Sequence, residues 1–435
     1  MQLTVDGLAQ RLEAELGVDV VKREPSLLAL HQIDGHTATL LCLPATPEQV
    51  ATTLCVCSEA NAAVVPWSGG TAIRIGNLPR RVDLVVRLDR LNRLVEHDHA
   101  NLTATVQSGM MLPALRDLFA PQNQFLPFDP PGYAGATVGG VVASNLNGPR
   151  RSYYGSVRDL VIGMKVVLAA GEQIKAGGKV VKNVAGYDMC KLFVGSLGTL
   201  GIIIEVTLRV APIPETAATL IASGTLPRVL QLADELSQSK LLPTAVVILN
   251  ANATKTAEVG QSHWRVAVWC EGFEKSVARH LNDTREMAKR IGLATEVLQE
   301  NDHIRFWDEV REFPLRGDRL VYRVTVPRAA AAEVIQTVHS GSTVDLRPEV
   351  VSDAAVGIVW ISSSTDNLAA KWFVKLIAKA REYRGHAIIL AAPPHLKHGV
   401  DVWGPAPPSL SLMREIKRQF DPHGLLNPGR FMAGM

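Results

Sequence analysis

Between Asp129 and Asn145 the chain reads Asp-Pro-Pro-Gly-Tyr-Ala-Gly-Ala-Thr-Val-Gly-Gly-Val-Val-Ala-Ser-Asn, seventeen positions of mostly small residues with no charge after the aspartate. The uncharged run extends from Pro130 to Pro149, yet its Gly, Pro, Asn and Ser content makes it a poor transmembrane helix. Two readings remain. The segment is a buried packing seam of small residues, or it is a shelf where bare main chain touches a large flat ligand. In the second case Thr137, Ser144 and Asn145 supply the few placed polar groups that such pockets use.

Two further glycine-rich segments flank it. Val65-Pro-Trp-Ser-Gly-Gly-Thr-Ala-Ile-Arg-Ile-Gly76 follows an apolar run directly. Without side chains in the way, consecutive N–H groups there can turn toward one anion, although a simple tight turn has the same composition. Downstream, Lys182-Asn-Val-Ala-Gly-Tyr-Asp188 precedes Gly195-Ser-Leu-Gly-Thr-Leu-Gly-Ile-Ile-Ile-Glu205, whose three glycines open a β-branched strand.

Around these segments, short apolar runs alternate with helical patterns. Strands are expected at 63–66, 83–88, 161–168 and 202–210, and a half-buried strand at 102–107. Helices are expected at 46–60, with a Thr cap and Pro at its first turn, and at 112–119. Ala211-Pro-Ile-Pro214 marks a domain boundary. Beyond it, strands at 219–222, 245–249, 264–270, 320–326, 356–361 and 387–390, with helices at 227–239, 274–292, 329–339 and 369–384, predict an antiparallel sheet flanked by helices. A last helix falls at 410–420. At roughly 100–200 residues per domain, 435 residues make two to four compact units.

Composition narrows the function. Lys and Arg number 45 against 42 Asp and Glu, a balance that argues against a nucleic-acid backbone or an acidic membrane surface as ligand. Arg150-Arg151 beside Tyr153-Tyr154 reads as a solvated turn. Five cysteines, an odd number without a C-x-x-C pair, argue against a disulfide framework or an iron–sulfur cluster in this chain. Cys190 sits among apolar residues and is expected to be buried, and the tryptophans at 360, 372 and 403 are assigned to the core or an interface. The first residues lack a basic stretch followed by an apolar core, so no signal peptide is expected and the localisation read is cytoplasmic. G-x-G-x-x-G, the P-loop, H-E-x-x-H and G-x-S-x-G are all missing, which leaves the usual dinucleotide and hydrolase readings unsupported.

The three glycine segments, taken in order and with Leu43-Pro-Ala-Thr-Pro-Glu-Gln-Val50 ahead of them, resemble the flavin-binding domain of the vanillyl-alcohol oxidase and p-cresol methylhydroxylase superfamily. The resemblance covers about residues 37–214. Gly178-Lys-Val-Val-Lys-Asn-Val-Ala-Gly-Tyr-Asp188, Asp401-Val-Trp-Gly404 and Ile416-Lys-Arg-Gln-Phe-Asp-Pro-His-Gly-Leu-Leu-Asn-Pro-Gly-Arg430 resemble, more narrowly, the smaller flavin subunits of bacterial glycolate oxidases. This implies an α+β fold: a two-part FAD-binding domain over 1–214, an α+β cap over 215–405, and a tail, 406–435, returning to the FAD domain.

The resemblance also implies FAD. Pro66, Ser68, Gly69, Gly70 and Thr71 would cradle the pyrophosphate; Ala136, Thr137, Gly139, Gly140 and Asn145 would line the second loop; Gly198 and Ile202 would lie against the other side. The 66–76 loop holds no His or Cys, so the flavin is expected to be non-covalent. Lys182, Tyr187 and Arg430 lie in the motifs that approach the flavin and are the catalytic candidates, each with a packing role as the alternative. The Gly-Asp-Gly-Asn-x-His and Glu-His-Gly strings of metal-using relatives are missing, and His386, His395 and His398 lack an acidic partner between them, so no metal is expected. The implied activity is oxidation of glycolate to glyoxylate beside a larger flavin subunit and an iron–sulfur subunit, with membrane contact only through those partners. The alternatives are a stand-alone dehydrogenase for another 2-hydroxy acid such as D-lactate, and a non-catalytic flavin-carrying or scaffolding subunit.

Overall fold

In the computed structural model, the structure describes residues 4–178, 187–251, 253, 264–341, 348–363 and 369–435. Its first layer is a four-stranded sheet ordered Val21–Lys22, Leu40–Cys42, Leu84–Arg87, Val64–Trp67. The last three strands are mutually parallel. Parallel neighbours need a crossover, and the helix Pro47–Glu59 provides it. Thr46 caps that helix by accepting from Gln49 N at 3.3 Å. Its buried face, with Val50, Leu54, Val56 and Cys57, packs on Leu8 and Leu12 of the helix Val5–Leu16. Pro66 is tolerated in Val64–Trp67 because that strand lies at the sheet edge. The C-terminal segment closes part of the edge: Leu425 O accepts from Val64 N and Val64 O from Asn427 N, both at 2.8 Å.

The second sheet is antiparallel, ordered Leu94–Asp98, Thr103–Gln107, Ile202–Arg209, Val161–Val167, Gln173–Gly177. Leu112–Phe119 and Val138–Ser144 pack into its core. The strand at Thr103–Gln107 departs from the half-buried expectation, since all five residues are buried. Its polar side chains are buried because they are partnered. Thr105 Oγ1 meets Thr207 Oγ1 across the pair at 3.0 Å, and Gln107 Oε1 accepts from Arg93 N at 3.1 Å.

Residues 216–391 form an eight-stranded, wholly antiparallel sheet ordered Ala294–Gln299, Thr216–Gly224, Trp264–Gly272, Ala245–Asn250, Glu349–Asp353, Ile358–Ser363, Leu320–Thr325, His386–Ala391. Leu226–Gln238, Glu274–Ile291, Ala331–Ser340 and Ala369–Glu382 cover one face. The other face turns toward the first half of the chain, where Val247, Trp269, Val321, Trp360 and Ile388 share a core with Ile75 and Leu146 and with the helix Glu300–Glu312. Strand alternation sorts the residues. In Leu320–Thr325, Leu320, Tyr322 and Val324 join the helix-side core and Val321 the opposite one, so Arg323 shares the inner face with Val321.

Polar contacts tie the two halves together. Arg150, expected in a solvated turn, is instead drawn inward: its guanidinium lies over the rings of Trp269 and Phe125, 4.6 and 5.0 Å from their centroids, and pairs with Glu271 at 3.1 Å. Ser152 Oγ donates to Asp353 at 3.2 Å, and Gly132 N to Glu312 at 2.7 Å. Trp360 and Trp372 are buried, and so is Cys190, whose thiol burial holds at a pKa of about 11. Among the described residues no helix is long and apolar enough to cross a membrane.

Candidate functional site

The three glycine segments converge on one open cleft with about 750 Å³ of empty space. Residues 66–73 form one wall, Thr137, Gly139, Gly140 and Ser144 a second, and Leu197, Gly198 and Ile202 a third. Asn427 and Arg430 reach in from the C-terminal tail. The cleft exists because main chain packs on main chain. A Cβ on Gly69 would sit 1.9 Å from Gly135 O, and one on Gly198, at φ +68°, would sit 2.5 Å from Pro66 Cγ. Ser68 Oγ and Thr137 Oγ1 lock the first two loops together at 2.6 Å. Among the described residues the N–H groups of Gly69, Gly70, Thr71 and Ala72 donate to no acceptor. Asn427 spends its amide N–H on Leu197 O at 2.6 Å and leaves a buried Oδ1 without a partner. Free main-chain donors beside an orphan acceptor suit a ligand with a pyrophosphate and hydroxyl or amino groups, and FAD meets that description.

Of the expected cofactor residues, Pro66, Ser68, Gly69, Gly70, Thr71, Thr137, Gly139, Gly140, Gly198 and Ile202 line this cleft. Ala136 does not. It is buried behind the loop, with its carbonyl accepting from Leu112 N at 2.9 Å. Asn145 ends the helix Val138–Ser144 at φ 53° and faces a neighbouring cavity instead.

The catalytic candidates separate. Lys182 lies outside the described residues. Tyr187 is 95% exposed and lines neither cavity, since Cys190 and Phe193 take the buried positions of that segment. Arg430 lines the cleft, and its two terminal nitrogens shape it while its buried Nε has no partner. It donates to Asp34 Oδ2 at 2.8 Å and to the carbonyls of Ile73, Ile75 and Asn77. Lys397 converges on the same carboxylate oxygen at 2.8 Å and also donates to Arg74 O and Gly76 O. Burial holds the Lys397 ammonium down at about 8, with Asp34 opposing the shift. Two cations on one aspartate thus gather the carbonyls of residues 73–77, and Arg430 is a positioning residue.

A larger cavity, with about 1520 Å³ of empty space including its mouth, adjoins the cleft and shares Ile75 and Ser144 with it. Among the described residues its lining holds Arg323, Arg381, Arg384 and His386 and no acidic side chain. Arg323 has a buried Nε without a partner. Burial, reinforced by Arg151, pulls its pKa down to about 10, and no carboxylate among the described residues offsets this. His386 stands at the solvent edge. Desolvation on its cavity side and the charge of Arg323 hold its pKa below the usual imidazole value, so it is neutral at pH 7. His395 and His398 are exposed, and among the described residues no group of three His, Cys, Asp or Glu side chains could hold a metal ion.

Sequence reasoning passed over Arg323, although its signal is present: an arginine inside the apolar run Leu-Val-Tyr-Arg-Val-Thr must bury its stem and find an anion for its head. From the sequence His386 reads only as a possible metal ligand, because nothing in the string places it beside Arg323.

Residues 38–177 match the FAD binding domain family, and residues 405–431 match the C-terminal domain of FAD linked oxidases. The chain is 31% identical to glycolate oxidase subunit GlcE of Escherichia coli over 353 residues, 78% of this chain and 85% of that protein. It is 29% identical to glycolate oxidase subunit GlcD of Bacillus subtilis over 423 residues, covering 90% and 88%. With the D-lactate dehydrogenase of Anaerostipes hadrus the identity is 28% over 423 residues, covering 88% and 87%. Among solved structures, p-cresol methylhydroxylase with substrate bound superposes with a TM-score of 0.73 at 18% identity, over 98% of this chain and 96% of that one, a likeness of fold.

Proposed function

The chain belongs to the p-cresol methylhydroxylase-type FAD oxidoreductases that include the glycolate oxidase flavin subunits, and from that premise we propose that it oxidises a 2-hydroxy acid to the 2-oxo acid in the cavity beside the flavin cleft. The observation that carries this reading is Arg323, a half-buried arginine whose buried Nε has no partner and which pairs with no carboxylate among the described residues, lining the cavity that opens onto the cleft.

Its first role is binding. An arginine offers paired donors in a plane that fits a carboxylate, and its desolvated state makes the charge-assisted contact strong. Ser144, shared by cleft and cavity, marks where the substrate's reacting carbon would stand. His386, a neutral imidazole in the same lining, is the group placed to take the hydroxyl proton. Bound FAD supplies the two-electron acceptor for the α-hydrogen, taken as hydride. The adjacent Arg323 opposes a second positive charge on His386, which favours early release of the proton to solvent at the cavity mouth. The residues of the cleft hold the cofactor without a covalent link, since the 66–76 loop offers no His or Cys.

We place the chain in an assembly with a larger flavin subunit and a separate iron–sulfur subunit that accepts the electrons. Its likeness to two glycolate oxidase subunits supports this, and so do its own cysteines. Cys42, Cys190 and Cys270 are buried thiols pushed up to about 11, 11 and 12, poorly suited to thiolate ligation. A stand-alone dehydrogenase for a larger 2-hydroxy acid is the second reading, favoured by a cavity much roomier than glycolate needs.

Steady-state oxidation of glycolate and D-lactate with an artificial electron acceptor tests the assignment. Arg323→Met is expected to raise KM by roughly tenfold or more, the worth of one charge-assisted contact, with flavin content intact. Arg323→Lys should recover part of the loss. Unchanged kcat/KM in Arg323→Met would remove the carboxylate site from this cavity.

A further inference from the structure

A third pocket, with about 580 Å³ of empty space including its mouth, lies behind the loop that forms the third wall of the flavin cleft. Leu197, Gly198, Gly201 and Ile202 of that loop line the cleft, whereas Gly195, Ser196, Thr199 and Leu200 line the pocket. A single stretch of main chain therefore divides the two spaces. The far side of the pocket is built by Met413 and Ile416 of the helix Leu410–Phe420 and by Phe431 and Met435 of the tail.

The walls are almost wholly apolar. Leu192, Val194 and Leu200 lie on the side of the FAD domain, and the two methionines opposite are flexible enough to close on ligands of different outline. Among the described residues three polar side chains line the pocket: Ser196, Thr199 and Lys417. Two of them are engaged. Lys417 Nζ donates to Asp421 Oδ2 and Thr199 O, both at 2.6 Å, and to Leu426 O at 3.1 Å, which uses its three protons and matches its charge. Thr199 Oγ1 donates to Ser196 O at 2.7 Å. Ser196 differs. It is 5% exposed, and its Oγ is buried without a partner. A buried hydroxyl in an apolar wall is costly until something meets it. A charged occupant would find no counter-ion here, since the lysine is already paired. The lining suits an uncharged molecule, apolar over most of its surface, with one group that hydrogen-bonds the serine.

We propose that this pocket is a second small-molecule site, for an uncharged apolar ring carrying one hydroxyl or carbonyl, and that its occupancy is linked to FAD through the shared loop. The occupant packs on Ser196, Thr199 and Leu200 and so holds Leu197, Gly198 and Ile202 against the cofactor on the other face. By reciprocity, bound FAD tightens the ring site by the same factor. The inference does not depend on which substrate the large cavity takes, although Gly195 and Phe431 line both spaces.

The test uses the FAD-loaded chain and two probes of similar size, phenol and toluene. Calorimetric titration gives their affinities, and flavin fluorescence after dilution gives the rate of FAD release. Both probes are expected to bind saturably, with phenol slowing FAD release by roughly fivefold. Ser196→Ala should weaken phenol by roughly threefold to tenfold, the worth of one neutral hydrogen bond, and leave toluene unchanged. Met413→Trp should fill the mouth and abolish both while the flavin-to-protein ratio stays full. Saturating glycolate should displace neither. No saturable binding of either probe overturns the proposal, as does an equal effect of Ser196→Ala on both or displacement of phenol by glycolate. Phenol that binds in this way without slowing FAD release overturns the link between the sites. If Met413→Trp does not fold, the phenol–toluene difference in Ser196→Ala decides alone.

Discussion

Asp34→Asn should cost the protein both stability and flavin, because one carboxylate oxygen holds two buried cations. Lys397 Nζ and Arg430 Nη1 each lie 2.8 Å from Asp34 Oδ2, and all three side chains are almost wholly buried. The substitution preserves shape and removes the charge. Leaving a buried ion without its partner costs about 3–5 kcal/mol. Unfolding entropy of about 2.1 cal/mol/K per residue over 435 residues converts this to a fall in Tm of about 3–5 °C, if the chain unfolds as one unit. The effect should depend on pH with a definite sign. In the wild type Asp34 helps to keep Lys397 protonated up to about 8; without it the native lysine releases its proton at lower pH, while the unfolded chain still holds it. The variant therefore gains stability with rising pH where the wild type does not, and the gap in Tm narrows as pH approaches 8. Because the same cations gather the carbonyls of residues 73–77 next to the cleft, FAD should dissociate more readily. Differential scanning fluorimetry across pH 6–9, read from both tryptophan and released flavin, checks all three. A variant within about 1 °C of wild type with unchanged flavin retention refutes the reasoning.

Other outcomes follow from the same geometry. Gly69→Val should give folded but flavin-free protein, since its Cβ would meet Gly135 O; a full flavin-to-protein ratio after gel filtration counts against that packing. Asp353 is held up at about 7 by burial, so its native form keeps a proton that the unfolded chain loses near 4. That contribution is present at low pH and lost as pH rises through about 7. Asp353→Asn should therefore raise Tm more at pH 8 than at pH 5, and an equal shift at both values removes the carboxyl from the account. Arg150→Met strands Glu271, whose side chain is 1% exposed, and should cost about 3–5 kcal/mol; Glu271→Gln added to it should restore part of the loss in urea unfolding.

How much of this was legible in the sequence follows from the range over which each signal acts. The strand at 161–167 and the helix at 112–119 are local patterns of β-branched or amphipathic residues, and both stand where they were expected. Ala294–Gln299 and Glu300–Glu312 were passed over for different reasons. The first is an edge strand with scattered burial, without the apolar run that marks a core strand. The second carries His303, Phe306, Trp307 and Val310 at helical spacing, a readable signal overshadowed by its charge. The glycine segments showed where a flat ligand could touch main chain, because close approach is a property of residue type. The cavity chemistry was not legible, because Arg323 and His386 meet only across neighbouring strands paired Thr325 to His386. Arg150 misled for the same reason: its partners Glu271 and Trp269 are more than a hundred positions away.

The central claim is that this chain itself oxidises a 2-hydroxy acid with its own FAD. Anaerobic titration of the purified, FAD-loaded chain with glycolate, D-lactate and a 2-hydroxy diacid addresses it directly through the visible flavin band. Bleaching by a hydroxy acid, slowed in Arg323→Met, is the predicted result. A flavin that dithionite bleaches but none of these acids does would contradict the account and identify the chain as a flavin-carrying subunit whose substrate site lies elsewhere.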